Sequence, residues 1–292
     1  CENLTNGLAL ALEDLAAKGV KVELVKEDDT GKPQVAMSAM EKTVHLDLSG
    51  QELRILVQSL ENCLATCHKK AVKPDAPCED CDAARALRLV DAVGEAVRWY
   101  KVGPVLFVAD GPAVVRSLQE RGKRVFLDLK WHDIPATVGA AVASAASAGV
   151  AMATVHLAGG PRMLAAAVAA RRDGLALIGV GVLTSLDSAE YAGIVGRPVG
   201  DLADEQARLV RLGAAAGLDG YVAAAGEVPA VRAVAGARAT IVVPGVRRGS
   251  DVAGDQKRVA TPREAARAGA DLLVVGRPIT ASGDPRREAM AI

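Results

Sequence analysis

From residue 82 onward, short and continuously apolar runs alternate with longer stretches whose apolar residues recur at helical spacing. The runs at 98–102, 124–127, 153–157, 176–183, 220–223, 240–243 and 271–275 read as strands. Most show no polar alternation, the pattern of parallel strands covered on both faces. Helices are expected around and between them at 83–93, 112–121, 134–148, 161–171, 201–216, 228–234 and 262–268. Repeated βα units of this kind predict an α/β protein, a (β/α)8 TIM barrel. Seven strands are legible where closure needs eight, so the first strand is missing or replaced by something further upstream.

The first 81 residues have another character and form an atypical N-terminal segment, leaving 82–292 as the barrel. Helices are expected at 8–18 and 50–70, strands at 21–25 and 43–48, and a turn at Gly31-Lys32-Pro33. Residues 74–82, with two prolines and a run of acids, make a loop and not a central strand. The favoured replacement for the first strand is 43–48, which carries Asp47 near its C-terminal end. The competitor is 21–25, with Asp28 and Asp29 just past it, and the third option is no replacement. Asp47 serves equally well as an N-terminal cap of the helix at 50–70.

Half the residues are hydrophobic but only 2% are aromatic, so the core must be aliphatic. Lys plus Arg and Asp plus Glu both number 35, which removes any global field drawing the chain to nucleic acid or an anionic membrane. No apolar run reaches the roughly 18–20 residues that span a bilayer, and no secretion signal is visible. The first residue is Cys1, read as a trimmed start or as the cysteine of a mature lipoprotein. All five cysteines precede residue 82. Cys63-x3-Cys67-His68 followed by Cys78-x2-Cys81 has the spacing of a structural Zn2+ site, with His68 as reserve ligand. Free thiols or disulfides are the other readings. Abrupt changes near residues 42 and 82 also admit a mosaic or joined chain.

The densest chemistry is Asp128-Leu129-Lys130-Trp131-His132-Asp133-Ile134-Pro135, where a strand runs into a helix. Barrels of this class carry their active sites at the C-terminal ends of strands. Alternation puts Asp128 and Lys130 on one side, Asp133 follows, and Lys101 ends the preceding strand. Two carboxylates and two ammoniums at adjacent strand ends form a charge network costly to leave unpaired. A solvated salt-bridge cluster on the rim is the competing reading. At the other end, Pro244-Gly245-Val246-Arg247 and Val275-Gly276-Arg277 close strands seven and eight, with Gly254-Asp255-Gln256-Lys257-Arg258 between them. Loops in these positions often bind phosphate, and an arginine fork suits that anion.

With these motifs, together with Tyr-Lys-Val-Gly at 100–103, Val-His-Leu-Ala-Gly-Gly at 155–160 and Leu-Thr-Ser at 183–185, residues 82–292 resemble the orotidine 5′-phosphate decarboxylases over nearly their whole length. The resemblance implies decarboxylation of orotidine 5′-monophosphate to UMP, without metal or organic cofactor, by a cytoplasmic homodimer with shared active sites. It would set Asp128 against the substrate carboxylate and Lys130 at the developing carbanion. Lys101 would orient Asp128 and touch the ribose, and Asp133 would reach in from the partner subunit. Thr184 and Ser185 would meet the pyrimidine, Arg247, Gln256, Gly276 and Arg277 would hold the 5′-phosphate, and Pro244 would also line the substrate site. Two departures stand out. The Ala-Leu-Asp-Val-like first strand, whose aspartate would bind the ribose, is replaced by Pro-Cys-Glu-Asp-Cys, which leaves Asp47 as the candidate for that substrate contact, and 223–226 is unusually small-residued. The rival readings are a non-catalytic nucleotide-phosphate-binding barrel and a metal-dependent sugar-phosphate lyase. Residues 7–39 resemble a fragment of a type I periplasmic solute-binding domain, too short to hold a complete site.

Overall fold

The computed structural model describes residues 54–58, 82–247 and 258–292. Eight parallel strands close a barrel in sequence order: β1 (Arg54–Gln58), β2 (Trp99–Val102), β3 (Arg124–Trp131), β4 (Met152–His156), β5 (Ala176–Val180), β6 (Gly220–Val222), β7 (Thr240–Val243) and β8 (Leu272–Val275). Around them run α1 (Asp82–Val93), α2 (Pro104–Asp110), α3 (Pro112–Glu120), α4 (Pro135–Ser147), α5 (Gly160–Ala170), α6 (Ser188–Val195), α7 (Leu202–Ala216), α8 (Val228–Ala235), α9 (Pro262–Ala268), α10 (Arg277–Thr280) and α11 (Pro285–Met290).

Strand β1 corrects the sequence reading twice. It lies inside the stretch expected as a helix at 50–70, and it fills the first position that was expected of 43–48. Its backbone pairs with β8 from Arg54↔Leu272 to Val57↔Val275 and with β2 from Leu56↔Trp99 to Gln58↔Lys101. The physical reason is ring closure: without β1, β2 and β8 each keep an unsatisfied edge, and the aliphatic run Ile-Leu-Val suits a strand covered on both sides. The barrel therefore starts upstream of residue 82, in the compact unit Leu53–Ile292. No carboxylate lies in β1, and Gln58 is the residue in register with Lys101 of β2. Residues 21–25 and 43–48, Asp47 included, lie outside the described residues.

Two sets of apolar side chains divide the interior. Trp99, Phe126, Met152, Ile178, Val242, Leu272 and Val274 form one cluster, with one or two residues from each of six strands. Their chain neighbours Tyr100, Val125, Leu127, Ala153, Leu177, Ile241, Leu273 and Val275 belong to the other cluster, with the helices. That is the period-two signature of a strand with one face inside the barrel and one under the helices. The inner plug is capped on its N-terminal side by Arg124, whose guanidinium carbon lies 4.3 Å from the Trp99 ring centroid. Two residues on from Trp99, Phe126 and Met152, the same inward parity brings up Lys101, Asp128 and Thr154. The polar site thus stands one pleat above an apolar floor.

Candidate active site

Asp128 is buried on β3 and meets both lysines. Lys101 Nζ, also buried on β2, lies 3.0 Å from its Oδ2. Lys130 Nζ donates to both carboxylate oxygens at 2.9 Å. Burial pushes the Asp128 pKa up, but the charges of Lys101 and then Lys130, with their hydrogen bonds, outweigh it and hold the group at about 2. The Lys101 side chain is almost fully enclosed, whereas that of Lys130 is 37% exposed. Lys101 is thus the fixed member of the array, and Lys130 the one open to an incoming molecule.

Regular alternation does not bring Lys130 to Asp128. The β3–β4 register shifts between Leu127 and Trp131. Within that irregularity Lys130 has φ 51°, the one positive φ at a non-glycine among the described residues. A side chain in this left-handed region costs roughly 1–3 kcal/mol and persists only where its surroundings enforce it. Thr154 is the enforcing neighbour: its Oγ1 accepts from the Lys130 backbone N at 2.8 Å and donates to Asp128 Oδ1 at 3.1 Å. Sequence reasoning missed Thr154. The available signal was a single hydroxyl, fully buried, inside the apolar strand β4.

Asp133 does not join this array. It is exposed at the start of α4, where its Oδ1 accepts from the next backbone N, that of Ile134, at 2.6 Å. Beside it the rings of His132 and His156 stack at 4.9 Å with an 11° interplanar angle. Burial, then the neighbouring His132 and Lys130, keep the His156 pKa below the ordinary imidazole range. A neutral ring agrees with its Nδ1 accepting from Ala158 N at 3.2 Å.

Thr184 and Ser185 lie in the turn between β5 and α6. The turn is anchored by Gln206, wholly buried on α7, whose Oε1 accepts from Val182 N while its Nε2 donates to Val222 O, both at 2.8 Å. A Cβ on Gly181 would stand 2.2 Å from that Oε1, so only glycine allows the approach. Pro244 and Gly245 turn the chain out of β7, Gly245 with φ 73°. Arg247 is buried, and Val246 bridges to Ala260 on the returning chain. Gly276 caps α10 after β8, and Arg277 is exposed at that helix's first position. Because β7 and β8 are paired, both arginines belong to one sector of the rim. Gln256 and the four candidate zinc ligands, Cys63, Cys67, Cys78 and Cys81, lie outside the described residues.

Residues 75–292 match the model of the family described as Orotidine 5′-phosphate decarboxylase / HUMPS family. A protein named orotidine 5′-phosphate decarboxylase from Anaeromyxobacter sp. (strain K) is 50% identical over 203 residues, 69% of this chain and 88% of that one. One of the same name from Moorella thermoacetica is 47% identical over 219 residues, 72% of this chain and 86% of its own length. The crystal structure of orotidine 5′-phosphate decarboxylase from Lactobacillus acidophilus superposes with a TM-score of 0.65 at 27% identity, covering 82% of this chain and 97% of that chain. The resemblance of residues 7–39 to a periplasmic solute-binding domain is not borne out: the family match starts at residue 75.

Proposed function

The chain belongs to the orotidine 5′-phosphate decarboxylase / HUMPS family, and from that premise we infer that its barrel mouth decarboxylates orotidine 5′-monophosphate to UMP, a step of pyrimidine biosynthesis. The observation that carries this reading is the Lys101–Asp128–Lys130 array, one buried carboxylate between two ammoniums at the ends of neighbouring strands.

In the proposed mechanism the substrate carboxylate lies against Asp128. The like charges repel, and the repulsion is relieved as the bond between C6 and the carboxylate breaks and CO2 leaves. The electron pair stays on C6, beside the Lys130 ammonium, which stabilises it and then delivers a proton to it. Lys101 keeps Asp128 ionised and aimed. The ammoniums supply the positive field themselves, so the reaction is proposed to need neither metal nor organic cofactor. Thr184 and Ser185 take the pyrimidine edge. Arg247, Gln256, Gly276 and Arg277 take the phosphate, whose binding energy is spent on strain at the reacting carbon, and Pro244 lines the substrate site beside them. Asp133, standing apart from Asp128 in its own chain, completes the site of a partner subunit in a homodimer.

A spectrophotometric assay of orotidine 5′-monophosphate loss, run with and without chelator, tests the reading. Turnover that survives the chelator is the expected result. Tight UMP binding without turnover, or a chelator-sensitive turnover of sugar phosphates, would replace it.

A further inference from the structure

Arg258 and Glu227 form an ion pair that the reaction as described does not use. Glu227 lies in the turn after β6 and is 4% exposed; its Oε2 accepts from Ala224 N at 2.8 Å, and its Oε1 pairs with the Arg258 guanidinium. The second terminal nitrogen of Arg258 donates to Leu183 O at 3.0 Å, directly before Thr184 and Ser185. Two residues after Arg258 the returning chain is laddered to the end of β7, with Arg247 N donating to Ala260 O at 2.9 Å and Val246 bridged to Ala260. One planar fork therefore touches the turn after β5 and the turn after β6, and is covalently part of the segment paired with Gly245–Arg247. A lysine, with a single nitrogen, cannot span both acceptors in that geometry.

We propose that Arg258 is a positioning residue that fixes the base-binding turn Leu183–Ser185 at a set distance from the phosphate-binding end of β7, with Glu227 as its buried anchor. The proposal rests on the substrate reading above. A nucleotide bridges the two regions, so misplacing one against the other wastes the binding energy of the phosphate at the reacting carbon. A nucleoside without phosphate engages one end only and is indifferent to the spacing. Burial raises the Glu227 pKa and Arg258 lowers it, in keeping with an anchor whose charge depends on the pair.

The experiment compares wild type, Arg258→Ala, Arg258→Lys and Glu227→Gln on orotidine 5′-monophosphate and on orotidine, with affinities for UMP and uridine measured alongside. For Arg258→Ala, kcat/KM on the nucleotide should fall between about tenfold and a hundredfold, the effect of one lost charge-assisted hydrogen bond, while the nucleoside changes less than about twofold. Arg258→Lys should recover only part of the loss. Glu227→Gln should show the same selectivity, since it loosens the anchor; if Arg258 instead gripped phosphate directly, this variant would keep wild-type rates. Equal losses on both substrates, or none, overturn the proposal. Should the wild type itself fail to turn over the nucleotide, the substrate reading falls, and a selective loss of UMP over uridine affinity in Glu227→Gln still decides the positioning role.

Discussion

Thr154 holds Lys130 by its backbone: the threonine hydroxyl accepts from the lysine N–H at 2.8 Å and donates a hydrogen bond to Asp128 Oδ1 at 3.1 Å. The left-handed turn at Lys130 and the ionised carboxylate beneath it thus share one support. Thr154→Val keeps the volume and removes both bonds. We expect it to lower stability by about 1–3 kcal/mol, the cost of stranding buried polar groups, and to lower kcat further than UMP affinity. Thr154→Ser should remain near wild type. Urea unfolding and steady-state kinetics check this, and an unaltered Thr154→Val enzyme would refute it.

Lys130→Ala should lose several orders of magnitude in kcat and still bind UMP, because the group removed is the one proposed to act on the carbanion. Asp133→Ala should be nearly inactive too. Mixed and reassembled, the two variants should regain part of the activity, since one site of each hybrid dimer carries neither lesion. No rescue in a verified heterodimer would return Asp133 to its own chain's site.

Arg277→Ala should damage kcat/KM strongly for orotidine 5′-monophosphate and little for orotidine, as only the former has a phosphate to grip. Kinetics with both substrates decide the point. Comparable losses would make Arg277 a structural residue of α10.

Acid should strip a defined part of the stability. Asp128 sits at about 2 against an ordinary 3.8, burial being overcome by Lys101 and Lys130. Glu205 is likewise held at about 2, chiefly by a hydrogen bond from Arg208, with further bonds from Arg197 and Tyr191. With folded-state values depressed, the unfolded chain binds the protons more readily. The contribution is therefore full above about pH 5 and is lost as the pH falls through about 2. Unfolding free energies measured across this window should fall steeply in the wild type and less steeply in Asp128→Asn. Parallel slopes would show that Asp128 is not the titrating group.

Much of the barrel was legible because its strands are unbroken apolar runs, and Thr240–Val243 emerged with its expected limits. Lys101, Asp128 and Lys130 were legible because charges gathered at adjacent strand ends are costly unless they pair with one another or serve a ligand. Strand β1 was not, since Leu53, Leu56, Leu60 and Leu64 recur at helical spacing and the demand for an eighth strand comes from the ring, not from local sequence. Helix α2 was missed because Gly111, with φ 59°, separates it from α3 after seven residues. Helix α6 carries a capping box in Asp187 and Glu190, a local signal that its short, weakly amphipathic body obscures. The Arg258–Glu227 pair joins segments far apart in sequence, a relation no window along the chain displays.

Strand β1 and the family match also disagree about where this enzyme begins. The match starts at residue 75, while the strand that closes the barrel ends at Gln58. A fragment trimmed to the family boundary would lose a stave from the cask, baring the flank of β2 that carries Lys101 and the opposite flank of β8. Exposed strand flanks recruit one another, so such a fragment would tend to precipitate or pair edge to edge before its chemistry could be assayed. Inactivity measured on it would report a broken hoop, and would say nothing about the lysines inside.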